Sequence, residues 1–146
     1  DGVSVVFARQ GGHKGNISVN GSRTFYNATS DYRLKENAVE ISDGITRLKT
    51  LKPYRFNWKS DPSTTVDGFF AHELTAVPEA IQGVKDAVAA QKDVDEGLAI
   101  NIGDPIYQSI DQSTLVPLLT AALKEAVGKI EVLETKVAAL EAAWVL

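Results

Sequence analysis

Cysteine and methionine are both missing from the 146 residues. Without cysteine there can be no disulfide, no thiolate nucleophile and no cysteine-ligated metal. Without methionine, Asp1 is expected to be an internal position of a longer polypeptide. Histidine is scarce: His13 and His72 are the only two. A zinc site would need both together with carboxylates, and the two lie in different segments, so no metal and no cofactor are expected. No apolar run approaches the roughly 18 residues of a membrane-spanning helix, and no signal-peptide pattern is visible. A membrane partner is therefore not expected. Cationic charge is also short, with a formal net charge of -4 and a pI of about 5.1, which disfavours binding nucleic acid by neutralising phosphates. What remains is the balance of an ordinary folded protein, 44% apolar and 23% charged, in a chain long enough for one compact domain with an appendage.

Residues 1–29 read as strands and turns. Val3, Val5 and Phe7 alternate with Ser4, Val6 and Ala8 in a period of two. Gly11-Gly12 breaks that run, Ile17-Ser18-Val19 forms a second short strand, and Asn20-Gly21 is a hairpin-turn signal before Thr24-Phe25-Tyr26. Strands this short and glycine-rich cannot bury a core alone, so they are expected to end a β stalk or to be shared between chains. Further on, Ser42-Asp43 starts a helix whose Ile41, Ile45, Leu48 and Leu51 share one face and which stops at Lys52-Pro53. Tyr54, Phe56 and Trp58 alternate with polar residues and are expected to face a core. Ser60 to Ser63 reads as a turn, Gly68 to Ala71 as a strand start and Glu73 to Val77 as a short helix. Strands are expected at 83–88 and 97–102, and Asp93-Val94-Asp95-Glu96 as a solvated loop.

The C-terminal segment has the clearest pattern. A helix capped near Ser113, with Pro117 in its first turn, carries apolar residues at Leu119, Leu123, Ala126, Ile130, Leu133, Val137, Leu140 and Trp144. Their spacings alternate between 4 and 3, a heptad repeat with Leu123, Ile130, Val137 and Trp144 at a and the others at d. Lys129 and Lys136 then occupy g, and Glu134 and Glu141 occupy e. In a parallel bundle Lys129 faces Glu134 and Lys136 faces Glu141 of a neighbouring copy. A single helix packed on its own domain would explain the stripe differently, but a narrow seam held to the chain end favours a coiled coil. Branched residues at a with leucine at d lean towards dimers, while Ala126 and Trp144 dilute that preference.

Among serines, no G-x-S-x-G elbow occurs, and Gly11-Gly12-His13-Lys14-Gly15 lacks phosphate-loop spacing. Ser30 and Lys35, five apart, can meet if the chain turns between them. A serine–lysine pair can replace a Ser–His–Asp triad. Serine needs a base to take its proton, and an ordinary lysine serves only when desolvation makes its neutral amine accessible. The spacing alone is common, and Ser30-Asp31 could equally cap a helix with Lys35 on its exposed side.

Four ordered blocks narrow the reading. Ser30-Asp31-Tyr32-Arg33-Leu34-Lys35-Glu36-Asn37 resembles the opening of the peptidase S74 family, the intramolecular chaperone domain of phage tail fibres and tailspikes. Leu48 to Trp58 resembles its L-x-x-L-x-P-x-x-F-x-[WY] block. Gly68 to Leu74 with Pro78-Glu79-Ala80 resembles G-F-I-A-Q-E-[VL]…P-E-[AV], and Ile110 to Leu119 resembles [IV]-D-Y-x-x-L-[VI]-P-L-L. His72 and Gln112 depart from the family pattern at positions outside the Ser30–Lys35 pair.

The resemblance implies an α+β fold in three parts: a β-stalk end at 1–29, a small mixed α/β chaperone domain at 30–112, and a long helix at 113–146 forming a parallel trimeric coiled coil. It implies trimerisation and folding of the fibre stalk upstream, followed by self-cleavage at Thr29–Ser30, with Ser30 as nucleophile and Lys35 as general base. The partners implied are two further copies of the chain and the stalk of the same polypeptide. Assembly would take place in the host cytoplasm, the residues before Ser30 staying in the virion. Competing expectations are a trimerisation cap that stays attached, a fibre-tip binder using Tyr32, Tyr54 or Trp58, and the self-cleaving domain of a membrane-anchored transcription factor. The last is disfavoured by the lack of a transmembrane segment.

Overall fold

A computed structural model describes residues 2–144. The described residues form two compact units, one ending at Glu40 and the other starting at Ile41.

The first unit is a three-stranded antiparallel meander of β1 (Gly2–Arg9), β2 (Gly12–Val19) and β3 (Thr24–Ala28). Gln10 and Gly11, both at positive φ, make the tight turn between β1 and β2. Asn20 closes the next turn, its side-chain oxygen accepting from the Ser22 and Arg23 N–H groups. The register sorts the residues by face. Val5, Ile17 and Tyr26 are cross-strand partners, as are Phe7, Gly15 and Ala28, which makes one face apolar. The other face aligns Val6, Asn16 and Asn27, and Asn27 donates to Asn16 and Ser18. Val5, Phe7 and Tyr26 remain exposed, so the sheet encloses no core of its own. The expected second strand is longer than Ile17–Val19, because Gly12 to Asn16 extend the ladder with β1.

The second unit holds the core. Leu74, Val77, Ala80, Leu115 and Leu118 are buried together, with Leu51, Phe69, Ala76, Ile81 and Ile110 packed around them. The elements of this unit are α1 (Gly44–Leu48), the hairpin β4 (Tyr54–Trp58) and β5 (Asp61–Gly68), the short pair β6 (Ile81–Gln82) and β7 (Ser109–Ile110), α2 (Gln91–Asp95) and α3 (Leu115–Trp144), of which β6, β7 and α3 supply core residues. Two 3-10 turns, Ala71–Glu73 and Pro78–Ala80, present Leu74 and Ala80 to this core.

Helix α1 lies so close to α3 that a Cβ on Gly44 would meet the backbone of Ala121 and Ala122. The N-terminus of α1 is capped from α3: the Glu125 carboxylate accepts from the Gly44 and Ile45 N–H groups. Arg47 reaches across to donate twice to the Ala76 carbonyl. Helix α3 itself begins after a 3-10 turn at Gln112–Thr114, and the cap expected near Ser113 is Asp111, whose carboxylate accepts from the Ser113 N–H. Pro117 falls in its first turn, where no backbone donor is needed.

Several local expectations are corrected. The strand of the hairpin starts at Asp61, where a turn was expected, and Pro62 is tolerated because a two-stranded sheet has only edges. The segment 73–77 is no helix; the single turn Ala71–Glu73 ends at its first residue. Residues 83–88 and 97–102 are not strands. One isolated bridge, Val88 to Pro105, and Ala89 bonded to Asp104 and Gly103 hold that region instead. Asp93 and Asp95 belong to α2, and Asp93 accepts from the Ala90 N–H at its start. Of the three aromatic residues expected to face a core, Tyr54 and Phe56 are half-buried, but Trp58 is exposed at the hairpin end, edge-on to Phe56.

Candidate active site and association surface

The serine–lysine pair is built by a few local interactions. Strand β3 ends at Ala28, and Thr29 is still tied to β2: its N–H donates to the Lys14 carbonyl at 3.1 Å and its hydroxyl to the His13 carbonyl at 3.4 Å. The carbonyl of Thr29 therefore leaves the sheet from a fixed rung. Next, a 3-10 turn spans Tyr32–Leu34. Asp31 caps it by accepting from the Arg33 N–H at 2.9 Å, and Lys35 closes it by donating its own N–H to the Tyr32 carbonyl. Three residues per turn reverse the chain quickly, which returns Lys35 towards Ser30. The Lys35 Nζ donates to Ser30 Oγ at 2.7 Å. The turn-capping role and the pairing role, posed as alternatives from sequence, coexist: Asp31 caps while Lys35 pairs.

Both Ser30 and Lys35 are exposed to solvent in the single chain. The second polar feature of the segment is a fork in which the Arg33 guanidinium donates from Nε and Nη2 to the two Asp31 oxygens, each at 2.9 Å. Arg33 thereby lowers the Asp31 pKa, and Asp31 raises that of Arg33. Sequence spacing did not flag this fork; an Asp two residues before an Arg in a capped turn is its only signal.

In the second unit, Glu73 sits beside Tyr54 and Lys52, with Lys52 Nζ 3.3 Å from one carboxylate oxygen. The other oxygen is buried and lacks a partner of hydrogen-bonding geometry, yet the Tyr54 hydroxyl is close enough to lower the Glu73 pKa, ahead of Lys52. The same proximity raises the Tyr54 pKa. His72 stacks on Phe70, and His13 contacts Asn16, so the histidines occupy separate units. Among the described residues no group of acidic and histidine side chains is arranged to hold a metal. None of the described helices is long and apolar enough to cross a membrane.

The heptad residues take a distinct place on α3. The helix buries Leu115, Leu118 and Ala122 in its own unit, a face continued by Glu125. Leu119, Leu123, Ile130, Leu133, Val137 and Leu140 lie off that face and are exposed, and Ala126 is half-buried. From residue 129 to 144 every position is exposed, Lys129, Glu134, Lys136 and Glu141 included. At about 1.5 Å per residue, that free segment is about 24 Å long. Leu133 at 57% exposure and Leu140 at 61% show that the stripe does not pack on its own domain.

Comparison with known proteins agrees with these features over part of the chain. Residues 30–88 match a family of chaperone domains. That family is peptidase S74, described as chaperone of endosialidase, and the match supports the resemblance seen in the sequence over that segment. The match begins at Ser30 and spans three of the four blocks quoted above; the fourth block and α3 lie beyond it. No curated protein matches the chain.

Proposed function

We propose that this chain is the C-terminal intramolecular chaperone of an endosialidase-like fibre or tailspike. In this reading three copies assemble through a parallel coiled coil of α3, fold the stalk upstream during virion assembly in the host cytoplasm, and then cut themselves free at Thr29–Ser30. The observation that carries it is the 2.7 Å contact between Lys35 Nζ and Ser30 Oγ at the start of the family match.

The chemistry is short. Neutral Lys35 takes the Ser30 hydroxyl proton, and Oγ attacks the Thr29 carbonyl carbon. The C–N bond between Thr29 and Ser30 breaks as the lysine ammonium returns the proton to the Ser30 nitrogen. The product is an ester of Thr29 on Ser30 Oγ with a free Ser30 amine. Water hydrolyses that ester to a Thr29 carboxylate and restores the Ser30 hydroxyl. The bond drawn in the single chain has the amine donating; catalysis needs it reversed, with the amine unprotonated. Since the pair is exposed in the single chain, the proposal assigns its desolvation to trimer assembly. Cleavage would then follow folding. The exposed stripe supports association, because leaving so many large apolar side chains in water is unfavourable by about 25 cal/mol per Å².

The same exposure also supports the alternative of a trimerisation cap that stays attached. One experiment separates them. The chain is expressed behind a further upstream segment as wild type, Ser30→Ala and Lys35→Ala, then weighed by intact mass spectrometry and light scattering. Wild type is expected to give two fragments parted at Thr29–Ser30, and both variants one uncut trimeric chain. A wild type that is trimeric but whole establishes the cap; cleavage persisting in Ser30→Ala removes the serine mechanism.

A further inference from the structure

We propose that Arg33 is a positioning residue for the Ser30–Lys35 pair, its fork on Asp31 holding a neighbouring negative charge neutralised so that the Lys35 amine can act as a base near neutral pH. The inference rests on the self-cleavage reading above.

The chemistry sets a conflict. The turn that returns Lys35 to Ser30 needs an acceptor for the Arg33 N–H, and Asp31 supplies it. That acceptor is a carboxylate, adjacent in sequence to the nucleophile and on the turn that the lysine closes. An unpaired carboxylate there would favour the charged ammonium and oppose its use as a base. Arg33 resolves the conflict, since both Asp31 oxygens are engaged by the guanidinium at 2.9 Å. A planar fork can bind both oxygens at once, which a lysine at position 33 would not do. The depressed Asp31 pKa is consistent with this engagement. Among the described residues Lys35 takes part in no ion pair, its side chain being given to Ser30. The other titratable groups adjoining the site along the backbone are Glu36, next in sequence after Lys35, and Lys14 and His13 on β2, whose carbonyls receive the Thr29 N–H and hydroxyl. None is bonded to the Asp31–Arg33 fork.

The inference makes opposite predictions for the two partners. Arg33→Gln unmasks the carboxylate, so cleavage reaches half its maximal rate at higher pH. Asp31→Asn keeps a side-chain oxygen for the cap but frees the guanidinium charge, so the midpoint falls. The expected displacement is on the order of half a pH unit to two units, shrinking in high salt because the Arg33 and Lys35 side chains are exposed. The double variant Asp31→Asn/Arg33→Gln restores neutrality and returns the midpoint towards wild type.

The test is refolding of the full chain from denaturant across pH ~6 to ~10, with the fragment beginning at Ser30 timed by mass spectrometry and refolding followed by circular dichroism. Midpoints moving up for Arg33→Gln, down for Asp31→Asn and back in the double variant support the inference. Cleavage slowed equally at all pH values, or both single variants moving the same way, assigns the fork to turn geometry alone and overturns it. A wild type that refolds but stays whole at every pH refutes the self-cleavage reading itself, and the inference with it.

Discussion

Replacing Gly44 by alanine sets two physical effects against each other with a decidable sign. A Cβ at position 44 would stand 2.5 Å from the Ala122 nitrogen, 2.8 Å from the Ala121 carbonyl carbon and 2.9 Å from the Ala122 Cα. All three are backbone atoms inside a helix, so no side chain can swing away, and α1 and α3 must separate. Overpacking of this kind is unfavourable by about 1–3 kcal/mol. The same separation pulls the Gly44 and Ile45 N–H groups from Glu125, a capping loss of about 1 kcal/mol. Opposing both is helix propensity, which favours alanine over glycine by at most about 1 kcal/mol and less at a first helical position. The net expectation is a loss of about 1–3 kcal/mol. In a small domain each kcal/mol moves the melting temperature by about 4–8 °C, so Gly44→Ala should melt at least several degrees lower. Thermal unfolding followed by far-UV circular dichroism measures it, at one chain concentration because association adds stability. Gly128→Ala is the control: it lies inside α3, a Cβ there meets nothing within 4 Å, and it should stabilise by about 0.5–1 kcal/mol. If Gly44→Ala melts with or above wild type, propensity has won and the close approach of the two helices is wrong.

Three other outcomes follow from the same structure. Glu125→Ala should lose about 1–2 kcal/mol in urea unfolding by stripping the start of α1 of its acceptor, without reducing association, since Glu125 lies off the heptad seam. On the proposed assembly through α3, Leu133→Asp should give monomer in sedimentation while leaving the near-UV spectrum of the domain unchanged, because that side chain is 57% exposed and supports no core. Acid sensitivity should fall in Glu73→Gln: a carboxyl whose folded pKa is lowered contributes stability that is fully present above its ordinary value, 4.5, and is lost as pH falls through the lower folded value. Stability measured against pH should therefore show a flatter acid limb in that variant, and an unchanged limb would reject the Tyr54 and Lys52 contacts as the cause.

Sequence periodicity was most informative where one element follows one period for many residues. The 3–4 spacing from Leu119 to Leu140 predicted both the helix and which of its faces would be free, because a narrow stripe cannot serve two partners. It missed the second face of Leu115, Leu118, Ala122 and Glu125, which lies in the same helix and holds the domain together. Hydrophobic spacing alone gives no sign that Glu125 would cap a helix some 80 residues earlier in the chain. Errors concentrated between residues 60 and 112, where elements are two to eight residues long and isolated backbone bonds replace ladders. In such segments each residue answers to tertiary contacts rather than to a repeating pattern. At the candidate site the Ser30–Lys35 meeting was legible as a possibility from spacing, and its closure by a capped 3-10 turn was not, since Asp31 and Arg33 look like surface charge until their fork is seen.

The two bonds that moor Thr29 to the neighbouring strand have a bearing on what a break after it would leave behind. Both belong to groups upstream of the Thr29 carbonyl, its own amide and its own hydroxyl. Parting the chain at the next bond would take no rung from the meander, whose edge would stay anchored to its last residue. An archway keeps its shape when the scaffold is struck only if the final stone already bears on its neighbour, and here that stone is a threonine.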